Sequence, residues 1–283
     1  MVPGSEKVLT IRMNIAENSS LIVPVMADIA NKKIHRSLSI SLTLERLGNS
    51  LTIRVQPSFG AAAFVRELMM ITMYGFGKVT SQVIGITRDL RVLWALEECE
   101  LPHQVHGLDD VAGELHGADY LAINPFGKVP AIDHNGVIIF ESGAIVIYLA
   151  EQSGRLLPTS EPERIKALQW TFAALDTVEP PMTQIAVIDL FEADAEWAKL
   201  RRPALVEMAK NYLEVINDVL IGKHYLLGDQ FTYPDILMVA ALSQVQHTNL
   251  LDMFPNVTAY LTRCHDRPAW HKCLDAYNRR LAV

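Results

Sequence analysis

The dipeptide Asn135-Gly136 constrains this chain more than any other short feature. It lies between two apolar runs, Val129-Pro130-Ala131-Ile132 and Val137-Ile138-Ile139-Phe140, with Asp133-His134 leading into it. A two-residue hairpin turn needs φ > 0 at its centre, which Asn and Gly adopt at least cost, so the segment predicts an antiparallel β-hairpin. Upstream, Ile71-Thr72-Met73-Tyr74-Gly75-Phe76 reads as a short strand and residues 77–86 as a loop. A helical pattern follows, with Val92, Leu93, Ala95 and Leu96 on its apolar face and Arg88, Asp89, Arg91, Glu97 and Glu98 expected outward. Thr87 is in place to cap its first turn through the hydroxyl, and Leu101-Pro102 ends it. His103-Gln104-Val105-His106-Gly107-Leu108 alternates as a second strand, and a short helix is expected near residues 112–121. Glu141-Ser142 then opens another helix, with Ser142 expected as its N-cap.

The order from residue 70 is therefore β-α-β-α-β-β-α. A helix between the first two strands makes them parallel, and the hairpin adds antiparallel strands. Residues 154–162 form a polar, proline-containing linker, and residues 163–283 show no strand alternation and read as helices. Pro180-Pro181 is expected to break or kink one of these. Thr232 and Asp235 fit a capping box, with Phe231 and Ile236 as its hydrophobic staple.

Composition narrows the function classes. Half of the 283 residues are apolar, a fifth are charged, and the net charge is −7. An acidic chain without a Lys/Arg cluster offers no footprint for nucleic acid or an anionic membrane surface. No apolar run reaches the roughly 18 residues of a membrane span. Three irregularly spaced cysteines, Cys99, Cys264 and Cys273, do not describe a disulfide framework, and a cytoplasmic location is expected. Residues 1–69 carry eight Lys/Arg against five Asp/Glu, whereas residues 70–283 carry 17 against 27, which marks a boundary before Met70. Two readings of residues 1–69 stand side by side. Alternation over residues 37–44 and 51–55 around Gly48-Asn49 reads as a small hairpin. The favoured reading is an upstream start, with Met70 as the true first residue.

Three motifs carry a resemblance. Arg91-Val92-Leu93-Trp94-Ala95-Leu96-Glu97-Glu98, Asn124-Pro125-Phe126-Gly127-Lys128-Val129-Pro130 and Glu141-Ser142-Gly143-Ala144-Ile145 occur in the order, and at spacings, that resemble the cytosolic glutathione S-transferases. The resemblance runs from about Met70 to the C-terminus. It implies an α/β thioredoxin-like N-terminal domain at residues 70–153 and an all-α C-terminal helical domain at 163–283. It also implies glutathione as co-substrate, no metal, and a homodimer. By the same resemblance the Val129-Pro130 bond is cis, and the backbone before it pairs with the cysteinyl part of glutathione. Glu141 and Ser142 then take the γ-glutamyl end, and Lys128 reaches for the glycyl carboxylate. The residues themselves support an anion at Ser142, because a helix start presents free N–H groups, a hydroxyl and the positive end of a dipole.

Transferases of this kind lower the thiol pKa of glutathione with a hydroxyl near the first helix. Thr87 fits best by its distance from Arg91-Val92, and Ser81 is the second candidate; the loop of residues 77–87 contains no cysteine. The expected function is attack of the glutathione thiolate on a small apolar electrophile or a peroxide. The alternatives are a glutathione-dependent isomerase or reductase, and a non-catalytic binding module on the same fold. Trp170, Phe172 and Met182 fit an acceptor pocket or, more simply, a helical core. Cys264, His265, His271 and Cys273 do not have the spacing of a closed zinc site and read as helix-surface residues.

Overall fold

The computed structural model describes residues 9–14, 42–47, 50–55 and 70–280, in two units, Met1–Met70 and Ile71–Val283. In the first unit, β1 (Leu9–Asn14), β2 (Leu42–Leu47) and β3 (Ser50–Val55) form an antiparallel sheet with β3 in the centre. Leu47 pairs with Ser50, so the first hairpin strand reaches three residues beyond the expected end at 44, while residues 37–41 of that expectation lie outside the described residues. Residues 15–41 and 56–69, on which the upstream-start reading also bears, lie outside the described residues.

The second unit begins with β4 (Ile71–Phe76), α1 (Arg88–Glu98) and β5 (His103–Leu108). A single turn at Glu114–His116 and the one-turn α2 (Ala118–Leu121) replace the longer helix expected at 112–121, because Gly113 and Gly117 flank that turn and interrupt helical bonding. The hairpin β6 (Ala131–His134) and β7 (Val137–Phe140) follows, with Asn135 and Gly136 both at positive φ. The sheet order is β5-β4-β6-β7, with β4 parallel to β5 and antiparallel to β6. This mixed sheet with helices is the thioredoxin-like arrangement.

The helices continue with α3 (Ser142–Ser153), α4 (Glu161–Phe172), α5 (Glu179–Phe191) and α6 (Glu196–Val219). Then come α7 (Tyr233–Ser243), α8 (Pro255–His265) and α9 (Pro268–Asn278). α4 starts at Glu161 rather than 163, since Ser160 accepts the Glu163 amide while Glu163 accepts from the Ser160 amide. Pro180-Pro181 breaks nothing. A π turn at Ala173–Val178 shifts the hydrogen-bond register just ahead of the two prolines, and α4 runs through it into α5. At Gly143, where α3 lies against the π turn, a Cβ would stand 2.6 Å from Leu175 Cδ1, so a larger residue there would have to turn the Leu175 side chain aside.

The core is built around α1. Val92, Leu93, Trp94, Ala95 and Leu96 are all buried, as are Ile71, Met73 and Ile132 from the sheet and Ile145 and Leu149 from α3. Trp94 packs on Trp270 and Phe231 at ring distances of 4.9 and 5.6 Å. Burying each such side chain stabilises the fold by roughly 1.5–3 kcal/mol. Cys264 and Cys273 are fully buried members of this core, not the helix-surface residues expected. They occupy the inner faces of α8 and α9, whose amphipathic pattern accepts cysteine as a small apolar residue. At Thr232 the Asp235 carboxylate accepts both the backbone N–H (2.8 Å) and the hydroxyl (3.0 Å), which ties down the start of α7. Among the described residues no helix is long and apolar enough to cross a membrane, and no three metal-ligating side chains cluster.

Candidate functional site

The pairing register brings three chain segments to one end of the β4–β7 sheet. Tyr74, near the end of β4, pairs with Ala131 at the start of β6, and Ala131 pairs with Phe140 at the end of β7. Pro130, the exit from β4 and the entry to α3 at Glu141 therefore lie side by side. The Val129-Pro130 bond is cis. Its approach is held by the Lys128 carbonyl, which accepts from Tyr120 Oη at 2.7 Å and Asn124 Nδ2 at 2.6 Å. Val129 packs with Leu108, Leu115 and Tyr120, while the Lys128 side chain is exposed.

The N-cap of α3 is Glu141, not Ser142, which is the first helical residue. The chain reaches this cap with Glu141 at φ 71° and ψ 112°. A non-glycine residue at such a φ costs of order 1–3 kcal/mol and is held only by its surroundings. At this helix start Glu141 is exposed and Ser142 is buried. Arg91 Nη1 stands 3.5 Å from Ser142 Oγ, so the hydroxyl meets a cation on its inner side.

Two residues expected outward on α1 are inside. Asp89 and Arg91 are both buried, because α1 is covered by the helical half as well as by the sheet. Arg91 forms a two-bond pair with Glu179 at 2.9 and 3.0 Å, and Arg88 adds a third bond to Glu179 at 2.9 Å. Burial works to raise the Glu179 carboxyl, but Arg91 and then Arg88 outweigh it and hold the group below its ordinary value. Asp89 accepts the Phe76 amide at 3.1 Å and faces Arg280 at 3.6 Å. Burial dominates there, and its carboxyl is pushed up despite Thr87, Arg280 and that amide. Gly75 leaves room for it, since a Cβ there would meet Asp89 Oδ2 at 2.8 Å.

Thr87 is the N-cap residue of α1 by position, with extended backbone angles, yet its hydroxyl does not cap the helix. It meets the Tyr277 hydroxyl instead, at 2.5 Å. Ser81 lies exposed in the one-turn helix Ser81–Val83 of the preceding loop. A cavity of about 320 Å³ opens beside the start of α1, lined by Arg88, Leu175, Glu179, Thr183, Val187 and Trp197 among others. Of the pocket residues considered from sequence, Met182 is core, Phe172 is exposed and Trp170 half-buried. Glu179 has no motif of its own in the sequence, and its place directly before Pro180-Pro181 is the one local signal it carries.

Comparison with known proteins bears on the family and the fold. Residues 90–152 match the glutathione S-transferase N-terminal domain and residues 178–268 the glutathione S-transferase C-terminal domain. A Nicotiana tabacum glutathione S-transferase is 28% identical over 203 residues, covering 67% of this chain and 93% of its own. Glutathione S-transferase 1 of Schizosaccharomyces pombe is 30% identical over 165 residues, covering 53% of this chain and 68% of its own. A solved Pseudomonas fluorescens glutathione transferase family member with two glutathione bound superposes with a TM-score of 0.66 at 26% identity, over 73% of this chain and 93% of its own. By sequence and fold, the chain belongs to the glutathione S-transferase family.

Proposed function

We propose that the chain is a glutathione transferase. The observation that carries this reading is the convergence of cis-Pro130, the α3 start at Glu141-Ser142 and the α1 start at Thr87 on one sheet end. Glutathione is a short extended peptide with a carboxylate at each end and a thiol between them. Its γ-glutamyl carboxylate suits the Ser142 hydroxyl and the free N–H groups of α3, and its amino group suits Glu141. The backbone at Val129 and Pro130 pairs with the cysteinyl part, and Lys128 takes the glycyl carboxylate. The thiol then lies before the positive end of α1, where the Thr87 hydroxyl donates to the thiolate and lowers its pKa. Ser81, exposed and farther back in the loop, is the second candidate.

The cavity beside Arg88 and Leu175 suits a small apolar electrophile or a peroxide. Attack joins the glutathione sulfur to the electrophilic carbon and either expels the leaving group or, on an enone, is completed by a proton on the neighbouring carbon. With a hydroperoxide an S–O bond forms as the O–O bond breaks, leaving a sulfenic acid and, after protonation, an alcohol. Residues 70–283 carry the whole of this machinery. We further propose a homodimer, supported by the exposed Phe126 and by the Ile165, Leu168 and Phe172 stripe on α4. The glutathione-bound relative supports the co-substrate.

Calorimetric titration of glutathione, followed by a panel of aryl halide, enone and hydroperoxide electrophiles, tests the reading. Micromolar to millimolar binding and turnover on at least one class are expected. A folded protein that does not bind glutathione would remove the proposal and leave a non-catalytic module.

A further inference from the structure

Helix α9 runs antiparallel along α1 and fastens it at both ends. Where α9 begins, Arg267 grips Glu98 at the end of α1 through bonds of 2.6 and 2.8 Å. Where α9 ends, the Tyr277 hydroxyl meets Thr87 Oγ1 at 2.5 Å. Just beyond, the Arg280 carbonyl accepts the Val79 amide at 3.0 Å. The Arg280 guanidinium stands 3.5 Å from the Phe76 carbonyl and 3.6 Å from Asp89 Oδ2. Residues 277–280 thus contact the exit of β4, the loop after it, and the first turn of α1.

Two hydroxyls that share one hydrogen bond hold two protons, of which one lies between them and one is left for a third group. The phenol is the more acidic of the two and the better donor. Tyr277 therefore donates to Thr87, and the proton of Thr87 remains available. Two acceptors compete for it. One is Asp89, whose Oδ1 has no hydrogen-bond partner among the described residues. The other is an anion arriving before the α1 N-terminus. Asp89 and Arg280 are the charged groups facing the hydroxyl pair, whereas Arg88 is turned to Glu179. Arg280, 3.6 Å from its Oδ2, attracts Asp89 from the other side, so Asp89 is a weakened competitor.

We propose that Tyr277 is a positioning residue for thiol activation: it occupies the acceptor side of the Thr87 hydroxyl and so aims the Thr87 proton at the glutathione sulfur, while Arg280 keeps Asp89 from capturing it. The proposal rests on the reading of Thr87 as the hydroxyl that meets the thiolate.

The test is a thiolate-absorbance titration of glutathione bound to the full chain, comparing the parent with Tyr277→Phe, Thr87→Ala, the double variant and Arg280→Gln. Tyr277→Phe keeps the ring and removes only the hydroxyl. It should raise the bound thiol pKa by about one unit, about tenfold less thiolate near neutral pH, with glutathione affinity and melting temperature nearly unchanged. The double variant should match Thr87→Ala alone, because Tyr277 acts only through Thr87. Arg280→Gln should shift the thiol in the same direction, several-fold, by freeing Asp89 to compete. An unshifted thiol in Tyr277→Phe beside a shifted one in Thr87→Ala overturns the positioning role alone, as do additive shifts in the double variant. If Thr87→Ala itself leaves the thiol unshifted, the underlying reading of Thr87 fails and the positioning role falls with it.

Discussion

Arg91 and Glu179 meet through two hydrogen bonds, Nη1 to Oε2 at 2.9 Å and Nη2 to Oε1 at 3.0 Å, across 88 positions of sequence. Both side chains are almost wholly buried, at 0% and 3% exposure, so neither charge has water to fall back on. This pair ties α1 to α5, and Arg91 in turn backs Ser142 at the start of α3.

Removing one partner should cost far more than removing both. Glu179→Leu leaves Arg91 as an uncompensated buried cation, which typically costs about 3–5 kcal/mol. Arg91→Met with Glu179→Leu should recover most of that loss in urea unfolding. The pH sign follows from the depressed Glu179 carboxyl. Its stabilisation is present above the ordinary carboxylate range, about pH 4.3, and is lost as pH falls through the lower folded value. A Glu179→Leu protein as stable as the parent would show that the pair holds nothing.

Ser142→Ala addresses the site directly. A hydrogen bond to a charged carboxylate contributes about 1.5–3 kcal/mol, so glutathione affinity should fall roughly 10- to 150-fold. Ser142 is not the N-cap of α3, and the melting temperature should therefore move little. Unchanged affinity with an intact fold would place the γ-glutamyl carboxylate elsewhere.

What was readable in the sequence depended on how local its cause was. Asn135-Gly136 announces its own hairpin, and the three motifs locate Pro130 and the start of α3 because each is set by neighbours a few residues away. Asp89 and Arg91 read as outward in sequence because a helical pattern shows polarity, not the partner. Their polarity is explained by Arg280 and Glu179, contributed from beyond the thioredoxin-like part. Ser142 reads as the cap because serine favours that position, whereas Glu141 at positive φ is a choice only tertiary structure can enforce. The Thr87–Tyr277 contact spans 190 positions and has no local signature at all.

His265 should make the protein acid-sensitive. Its ring stacks on Trp270 at 4.5 Å, and burial lowers its pKa from 6.5 to about 4. An unfolded chain binds the proton at about pH 6.5, the folded one only near 4, so stability is lost as pH falls through that window. At about 1.4 kcal/mol per unit the full effect is of order 3 kcal/mol. His265→Phe keeps a flat ring for the stack and removes the proton site. Its stability should fall less between pH 6.5 and 4 than that of the parent, and an identical slope in chemical denaturation across that window would refute the assignment.

The α4 stripe gives a test of assembly. Ile165, Leu168 and Phe172 are 63, 38 and 60% exposed, and their spacing places them on one face of the helix. Phe126, at 67%, is exposed in the loop before cis-Pro130. A homodimer that covers such groups should bury about 1,600 Å² or more in total. Charges on the stripe should then split the dimer without unfolding the subunit, because exposed positions tolerate substitution to within about 0.5 kcal/mol. Ile165→Glu combined with Phe172→Glu is expected to halve the mass measured by light scattering at micromolar concentration, with a melting curve that becomes independent of concentration. Phe126→Ser should weaken association in the same direction. A parent chain that is already monomeric in that experiment removes the homodimer, and a charged variant that remains dimeric moves the interface to another face.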